Sequence, residues 1–532
     1  MLLAPFAAFV AFVPALWAGF LADDFVMLQT VHRLDLPLQA FTRTDIGTTR
    51  GDPYRPLWLV ANGAINRVTG DNALAYHLFS LVLYAAAAVL VVVIAGRFVE
   101  RPVAVLAGVA FALYPRHAEA VAWIGASPDV MAGILSLAAL AALTVRGAPT
   151  WALVASVVLG VAAPLCKESA FALPALALVL VGALWSDDAV PIRRRRAAAT
   201  AVLIVGTGVD LLVRTMVVHG LGDYVGEPFG LHRLAVVVGS QLLATFTTSQ
   251  MLVLEHPALL VIPVVLAALV VFGAVQTLRS GDGSRQRLLA VGALWYVLAL
   301  IPVYNNAVAL NNSNGERLLY LPSVGAALVI GAVAAPLLEV RPGRVVLALG
   351  AGAAVAACLA ASMDYVTAGV IRDRVVADTS RLAPEHATVV ALNIPDSYRS
   401  ARLLSAGFAQ AVAMAGRPDL NVLVCAPSII ETGQSQAVHF TVQPGGELLA
   451  RSTASLPFET PESGRSISTS GCVYRPSPLG HLAPGLGTAV LLRLTPTGTD
   501  TVYLWFDGVN MRACDPLACS GLASGEVARA TS

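Results

Sequence analysis

Lysine is all but missing. Of 532 residues only Lys167 carries that side chain, and arginine supplies the other 33 of the 34 basic residues, a bias that fits GC-rich coding. Charge of either sign is scarce: Asp, Glu, Lys and Arg make up 13% of the chain, about half the share usual in soluble domains. An ordinary soluble globular protein is therefore excluded. The formal balance of +1 also excludes the basic footprint that nucleic acid would require. Apolar residues fill the space instead, at 57% of the chain with a mean hydropathy of +0.73, so the solvent this chain is built for is a lipid bilayer.

The apolar character is not uniform. Up to about residue 365 the chain runs in apolar stretches long enough, or nearly so, to cross about 30 Å of hydrocarbon as helices. They fall at 3–22, 73–96, 103–118, 128–145, 150–165, 169–186, 197–218, 257–278, 287–304, 318–337 and 344–365, with 233–250 ambiguous. Five loops hold 12 arginines between them: Arg97 and Arg101, Arg146, Arg193 to Arg196, Arg279 with Arg285 and Arg287, and Arg341 with Arg344. The intervening short loops hold almost none, so the positive-inside rule places these five in the cytoplasm. Parity then gives about eleven spans in the plasma membrane, with the N-terminus inside.

The stretch 366–532 is polar, rich in Gly, Pro, Ser and Thr turn signals, and alternates at Gln436–Val442 and Thr501–Phe506. It reads as a soluble extracytoplasmic domain, α/β or β-rich, following a transmembrane domain over 1–365. Cys425, Cys472, Cys514 and Cys519 lie in it, an even number that suits an oxidising exterior. Three connectivities are open to them, Cys425 with Cys472 and Cys514 with Cys519 being the first expected. No histidine or further cysteine stands at zinc spacing near Cys514 and Cys519, so no metal site is read there.

Ionisable groups at a membrane boundary are costly and default to functional candidates. Here they collect on the outer side: Asp23 and Asp24 after the first span, Arg55 in the following loop, His117 and Glu119, Lys167 and Glu168, and Glu316, Arg317 and Tyr320 at the start of the tenth span. Lys167 stands where arginine was evidently available, which points to a need for a compact point charge. Two other groups have structural readings. Ser127-Pro128-Asp129 looks like the N-cap, N1 and N2 of a helix, and Asp210 and Arg214, four apart in one span, look like a neutralising pair.

Transfer of a sugar from a lipid-phosphate donor needs a carboxylate to deprotonate the acceptor hydroxyl, cations to hold the departing phosphate, and an apolar groove for the tail. Asp23 or Asp24 would be the base. Lys167 and Arg317, with Arg55 beside them, would hold phosphate; His117, Glu119, Glu168, Glu316 and Tyr320 would orient donor and acceptor.

Five stretches, in this order, carry a family resemblance: Ala22-Asp23-Asp24-Phe25, Tyr54-Arg55-Pro56-Leu57, Leu113 to Ile124, Cys166-Lys167-Glu168-Ser169 and Glu316 to Ser323. Together they resemble the GT-C superfamily of polytopic glycosyltransferases, nearest its O-mannosyltransferase-like branch and the transmembrane O-mannosyltransferases that carry TPR repeats. The resemblance implies a GT-C-like fold and an inverting transferase using a polyprenyl-phosphate sugar outside the cytoplasm, with the first-loop acid as base. It implies no required cofactor; the sequence offers no support for a divalent cation. A mannose-like hexose and an acceptor protein or cell-envelope glycan follow from the same resemblance. The family's usual His-Pro-Glu reads His117-Ala118-Glu119 here, the aromatic often found after Glu-Arg is Leu318, and no 34-residue period marks TPR repeats in the tail.

Two other readings compete. A multi-pass transporter or flippase for a lipid-linked or anionic substrate would show internal repeats and charges near mid-membrane. A cell-surface protein merely anchored by its membrane part would need far fewer than eleven spans.

Overall fold

The computed structural model describes residues 1–35, 37–42, 54–218, 231–248, 257–304, 306, 308, 315–399, 401–404, 406–430, 436, 438–443, 447–460, 466–477, 481–483, 486–495 and 500–514. The chain forms two units: one of Met1–Trp17 with Thr30–Met363, the other of Ala18–Gln29 with Asp364–Ser532.

The first unit is helical. Among the described residues seven helices are long and apolar enough to cross a membrane: Ala73–Ala95, Ile124–Leu143, Val190–Val218, Ala258–Arg279, Gly283–Val303, Glu316–Leu338 and Arg341–Leu382, the last continuing into the second unit. Shorter apolar helices lie at Leu3–Trp17, Arg101–Ala112, Thr150–Ala162, Glu168–Ala183 and Leu234–Thr245. The chain is thus a polytopic helical membrane protein, and each sequence-predicted apolar stretch contains a helix. Outward faces are apolar, as lipid requires: Val264, Leu269, Val271 and Phe272 all stand exposed on one helix.

Close helix contact replaces the hydrophobic drive that lipid cannot supply. At the crossing of Gly283–Leu300 and Tyr320–Ala334, Gly292 and Gly325 face each other, and a Cβ on either would lie within 3 Å of the opposing backbone. Trp295, fully buried nearby, anchors the same pair by donating from Nε1 to the Leu321 carbonyl at 3.0 Å.

The second unit is strand-rich. Thr388–Tyr398 is buried along nearly its whole length and pairs in parallel with Asn421–Ile430 and with Thr501–Phe506, at the centre of an eight-stranded sheet. Burial on both faces explains its continuous Val-Val-Ala-Leu run in place of alternation. Asn393, fully buried within it, is satisfied, donating to the Phe506 carbonyl at 2.9 Å and accepting from the Phe506 amide at 2.8 Å. A second, five-stranded sheet contains His439–Val442, Leu448–Arg451, Ala489–Leu494, Cys472–Pro476 and Ile467–Ser468. Cys425 and Cys472 are buried free thiols; Cys519 lies outside the described residues, and of Cys514 only the backbone, in the strand Met511–Cys514, is described.

Gly325→Val forces a branched side chain into backbone at the helix crossing. It is expected to lower the melting temperature of the detergent-solubilised protein by about 5 °C or more, read by fluorescence-detected size exclusion.

Candidate functional site

Four short connecting pieces of the helical unit position the polar groups. A 3-10 turn, Pro115–His117, leads into the single helical turn Ala118–Ala122; another, Glu168–Ala172, follows extended Lys167; a third, Glu316–Leu319, begins after Gly315. Gly315 has φ +85, a conformation that favours glycine, and it turns the chain so that Glu316 and Arg317 enter the protein side by side.

The charges then pair. Glu119, fully buried, accepts the Arg317 backbone amide at 2.7 Å and pairs with the Arg317 guanidinium, which also lies 5.2 Å over the Trp123 ring. Arg116, also fully buried, reaches Glu316 at 2.9 Å and donates to the carbonyl and hydroxyl of Thr247, each at 3.0 Å. Lys167 pairs with Asp129 at 3.2 Å, both side chains buried. Glu168 is held by two guanidiniums, Arg55 at 3.1 Å and Arg214 at 2.7 Å, and Arg214 also donates to the Tyr54 carbonyl. In these pairs, among the described residues, five cations meet four carboxylates. Glu168 is the acid with two guanidinium partners, so either one can turn to another anion without orphaning it. Glu168 and Arg317 are also the most accessible of the set, at 18% and 21%.

His117 sits between two hydroxyls, with Nδ1 2.8 Å from Tyr84 and Nε2 2.8 Å from Ser323. Aromatic rings of Phe111, Tyr114 and Tyr320 surround it within about 5 Å. With both ring nitrogens engaged, it serves as a hydrogen-bonding element of the layer. The Tyr320 ring lies over Gly133, where a Cβ would collide with it.

The loop arginines form a second, separate set. Arg196 bonds Asp188 and the Val145 carbonyl, Arg195 bonds Thr150, Arg285 pairs with Glu339 and Arg287 with Asp187. Ile124–Leu143 begins in the first set and ends in the second, Thr150–Ala162 runs back toward Lys167, and Glu316–Leu338 returns to Glu339. The two sets occupy opposite ends of the helices.

Eight of the ten sequence-predicted residues, Arg55, His117, Glu119, Lys167, Glu168, Glu316, Arg317 and Tyr320, therefore fall in one polar layer. Asp23 and Asp24 belong to the other unit. There Asp24 is fully buried and accepts the Leu21 amide at 2.8 Å, while Asp23 is half-buried. Ala22 just before them holds a left-handed φ of +46, a strained setting for a side chain bearing a Cβ. Among the described residues no three His, Cys, Asp or Glu gather as metal ligands.

Two expectations are corrected. Arg214 does not neutralise Asp210; it reaches Glu168, and Asp210 Oδ2 finds no hydrogen-bond partner among the described residues. A buried tertiary carboxylate outcompetes a helix neighbour four residues away. Ser127 is not the N-cap either: Ala126 takes that position and the Ser127 hydroxyl accepts the Trp58 indole at 2.9 Å. Asp129, read as part of a helix start, is the partner of Lys167. Arg116, Arg214 and Asp129 are thus the charged members that sequence reasoning missed. Arg214 was detectable as an arginine deep in an apolar run, and Asp129 as an acid beside one.

No family model matches the chain. It is similar to the protein O-mannosyl-transferase Tmtc1 of Drosophila melanogaster, 32% identical over 188 residues, which is 33% of this chain and 21% of that protein. Similarity to the protein O-mannosyl-transferase TMTC3 of Homo sapiens is 28% over 167 residues, 29% of this chain and 18% of that one. The matches span about a fifth of the length of these relatives, and they bear out the O-mannosyltransferase-like resemblance. Among solved structures, ArnT from Cupriavidus metallidurans bound to undecaprenyl phosphate aligns with a TM-score of 0.42 and 14% identity, over 80% of this chain and 92% of that one.

Lys167→Met leaves Asp129 buried and unpaired and is expected to cost about 3–5 kcal/mol of stability, most of it recovered in Lys167→Met/Asp129→Asn. Thermal melts of the single and double variants measure this.

Proposed function

We propose that this protein is a membrane glycosyltransferase that moves a sugar from a polyprenyl-phosphate donor to a hydroxyl acceptor outside the cytoplasm. One observation carries the reading: cations and acids from six distant stretches of sequence converge in a single polar layer at one end of an apolar helical bundle, in a chain similar to O-mannosyl-transferases. A mannose-like hexose is the favoured sugar on that similarity. The arginine loops at the opposite end face the cytoplasm by the positive-inside rule, which supports an N-terminus inside and a polar layer outside, in what we take to be the plasma membrane.

In the reaction the Asp23 carboxylate takes the proton of the acceptor hydroxyl as its oxygen attacks the anomeric carbon. The bond from that carbon to the phosphate oxygen breaks, and polyprenyl phosphate departs with inversion. Asp23 is assigned as base because it is the more accessible of the acidic pair, Asp24 being engaged in the turn that precedes it. Growing charge on the phosphate is neutralised by Arg317, Lys167 and whichever of Arg55 and Arg214 is released from Glu168. With these cations in place the step calls on no cofactor. The acceptor is a protein or an envelope glycan presented from outside. A transporter would line a path through the bundle, whereas here the two polar sets stand at opposite ends with apolar helix between them.

Asp23→Asn is expected to abolish sugar transfer from polyprenyl-phosphate sugar in purified protein while expression is retained; normal turnover would remove the assignment. Lys167→Ala combined with Asp129→Asn, which leaves no orphaned carboxylate, should weaken donor binding about tenfold or more in a direct titration. Unchanged affinity would take Lys167 out of the donor site.

A further inference from the structure

Cys425 and Cys472 are both fully buried in the C-terminal unit, and they belong to different sheets: Cys425 to Asn421–Ile430 of the eight-stranded sheet, Cys472 to Cys472–Pro476 of the five-stranded one. The two chains are brought together at this point by backbone. The Gly471 amide donates to the Val424 carbonyl at 2.9 Å, and the Val424 amide donates to the Ser470 hydroxyl at 2.9 Å. Gly471 leaves the room for this approach: a Cβ there would sit 3.0 Å from the Val424 carbonyl oxygen and 3.2 Å from the Cys425 sulfur. This approach sets the two cysteines beside each other, and Cys472 is the neighbouring group that acts on the Cys425 thiol.

We propose that Cys425 and Cys472 are joined in the mature protein by a disulfide that pins the two sheets to each other and is made before the sheets close. The order follows from access. Exchange requires a thiolate and an approaching disulfide partner; in the closed domain neither sulfur is exposed, and burial and the neighbouring sulfur push the Cys425 thiol well up. Oxidation therefore takes place on the open chain. Two S–H bonds break, one S–S bond forms, and two protons and two electrons pass to a disulfide-carrying oxidoreductase of the compartment, which leaves as its dithiol. Once the sheets have closed over it, the bond is shielded from reductants by the same burial. It closes a loop between positions 47 residues apart in sequence, long enough to restrict the unfolded chain strongly. The proposal rests on the outer placement of this unit given above, because a cytoplasmic domain would keep both thiols reduced.

The test uses full-length protein taken from its membrane. Thiols are alkylated in denaturant without reductant, and the digest is read by mass spectrometry beside a reduced control. Linked peptides containing Cys425 and Cys472 are expected, resistant to reductant on the folded protein and released only when denaturant is added. Cys425→Ala/Cys472→Ala should melt about 5–15 °C lower than the wild type. Protease added to the outer face of intact cells reports the side of the tail independently. Free thiols in a tail that protease cleaves from outside overturn the disulfide alone; free thiols in a tail it cannot reach overturn the disulfide and the outer placement together.

Discussion

Charge placed in an apolar protein has to be answered by charge, and the polar layer of the helical unit is organised by that requirement. Removing an ion from water costs several kcal/mol even after relaxation, repaid only when a counter-ion and further hydrogen bonds meet it at short range. Arg116 shows the full solution: no solvent exposure, one carboxylate, and two further acceptors on Thr247. Its partner Glu316 is delivered by a turn that depends on Gly315, and the next residue along, Arg317, is delivered to Glu119 by the same turn. Each pair joins connecting pieces that are far apart in sequence. The bundle ends are therefore held in register by electrostatics where lipid-facing apolar surface cannot do so.

That constraint also shapes what the layer can offer a ligand. Where one cation meets one anion, as at Arg317 and Lys167, a new anion has to be shared with the buried carboxylate already held. At Glu168 two guanidiniums meet one acid. The Arg55–Glu168–Arg214 group is thus a reserve of positive charge at low reorganisation cost. His117, by contrast, is engaged at both ring nitrogens; locked between Tyr84 and Ser323, it fixes the orientation of the hydroxyls around it.

Much of this was legible in the sequence. The apolar runs marked the helices because lipid imposes their length, and the arginine bias of five loops separated the two ends of the bundle. Rare ionisable residues near span ends marked the members of the layer because burying them has to serve some purpose. The pairings were not legible. Sequence distance makes Asp210 the natural partner of Arg214, and local capping rules account for Asp129 without invoking any distant group. In both cases a tertiary partner prevailed, since a buried ion pair outweighs the few tenths of a kcal/mol of a local helix contact. Nor does sequence show that Asp23 and Asp24 group with the strand-rich unit, where the Ala22 amide donates to the Leu403 carbonyl at 2.6 Å across nearly the whole length of the chain.

The pairing of Lys167 with Asp129 bears on the lone lysine of the composition. Arginine stands at each of the other 33 basic positions. At residue 167 the side chain ends in a buried space beside one carboxylate, with 3.2 Å between the charged atoms. A flat guanidinium would bring additional N–H groups into that space and ask for acceptors beyond the one carboxylate. The lone lysine is thus a position where a compact ammonium suits the enclosure of one buried pair, and a guanidinium put there would need that enclosure to open.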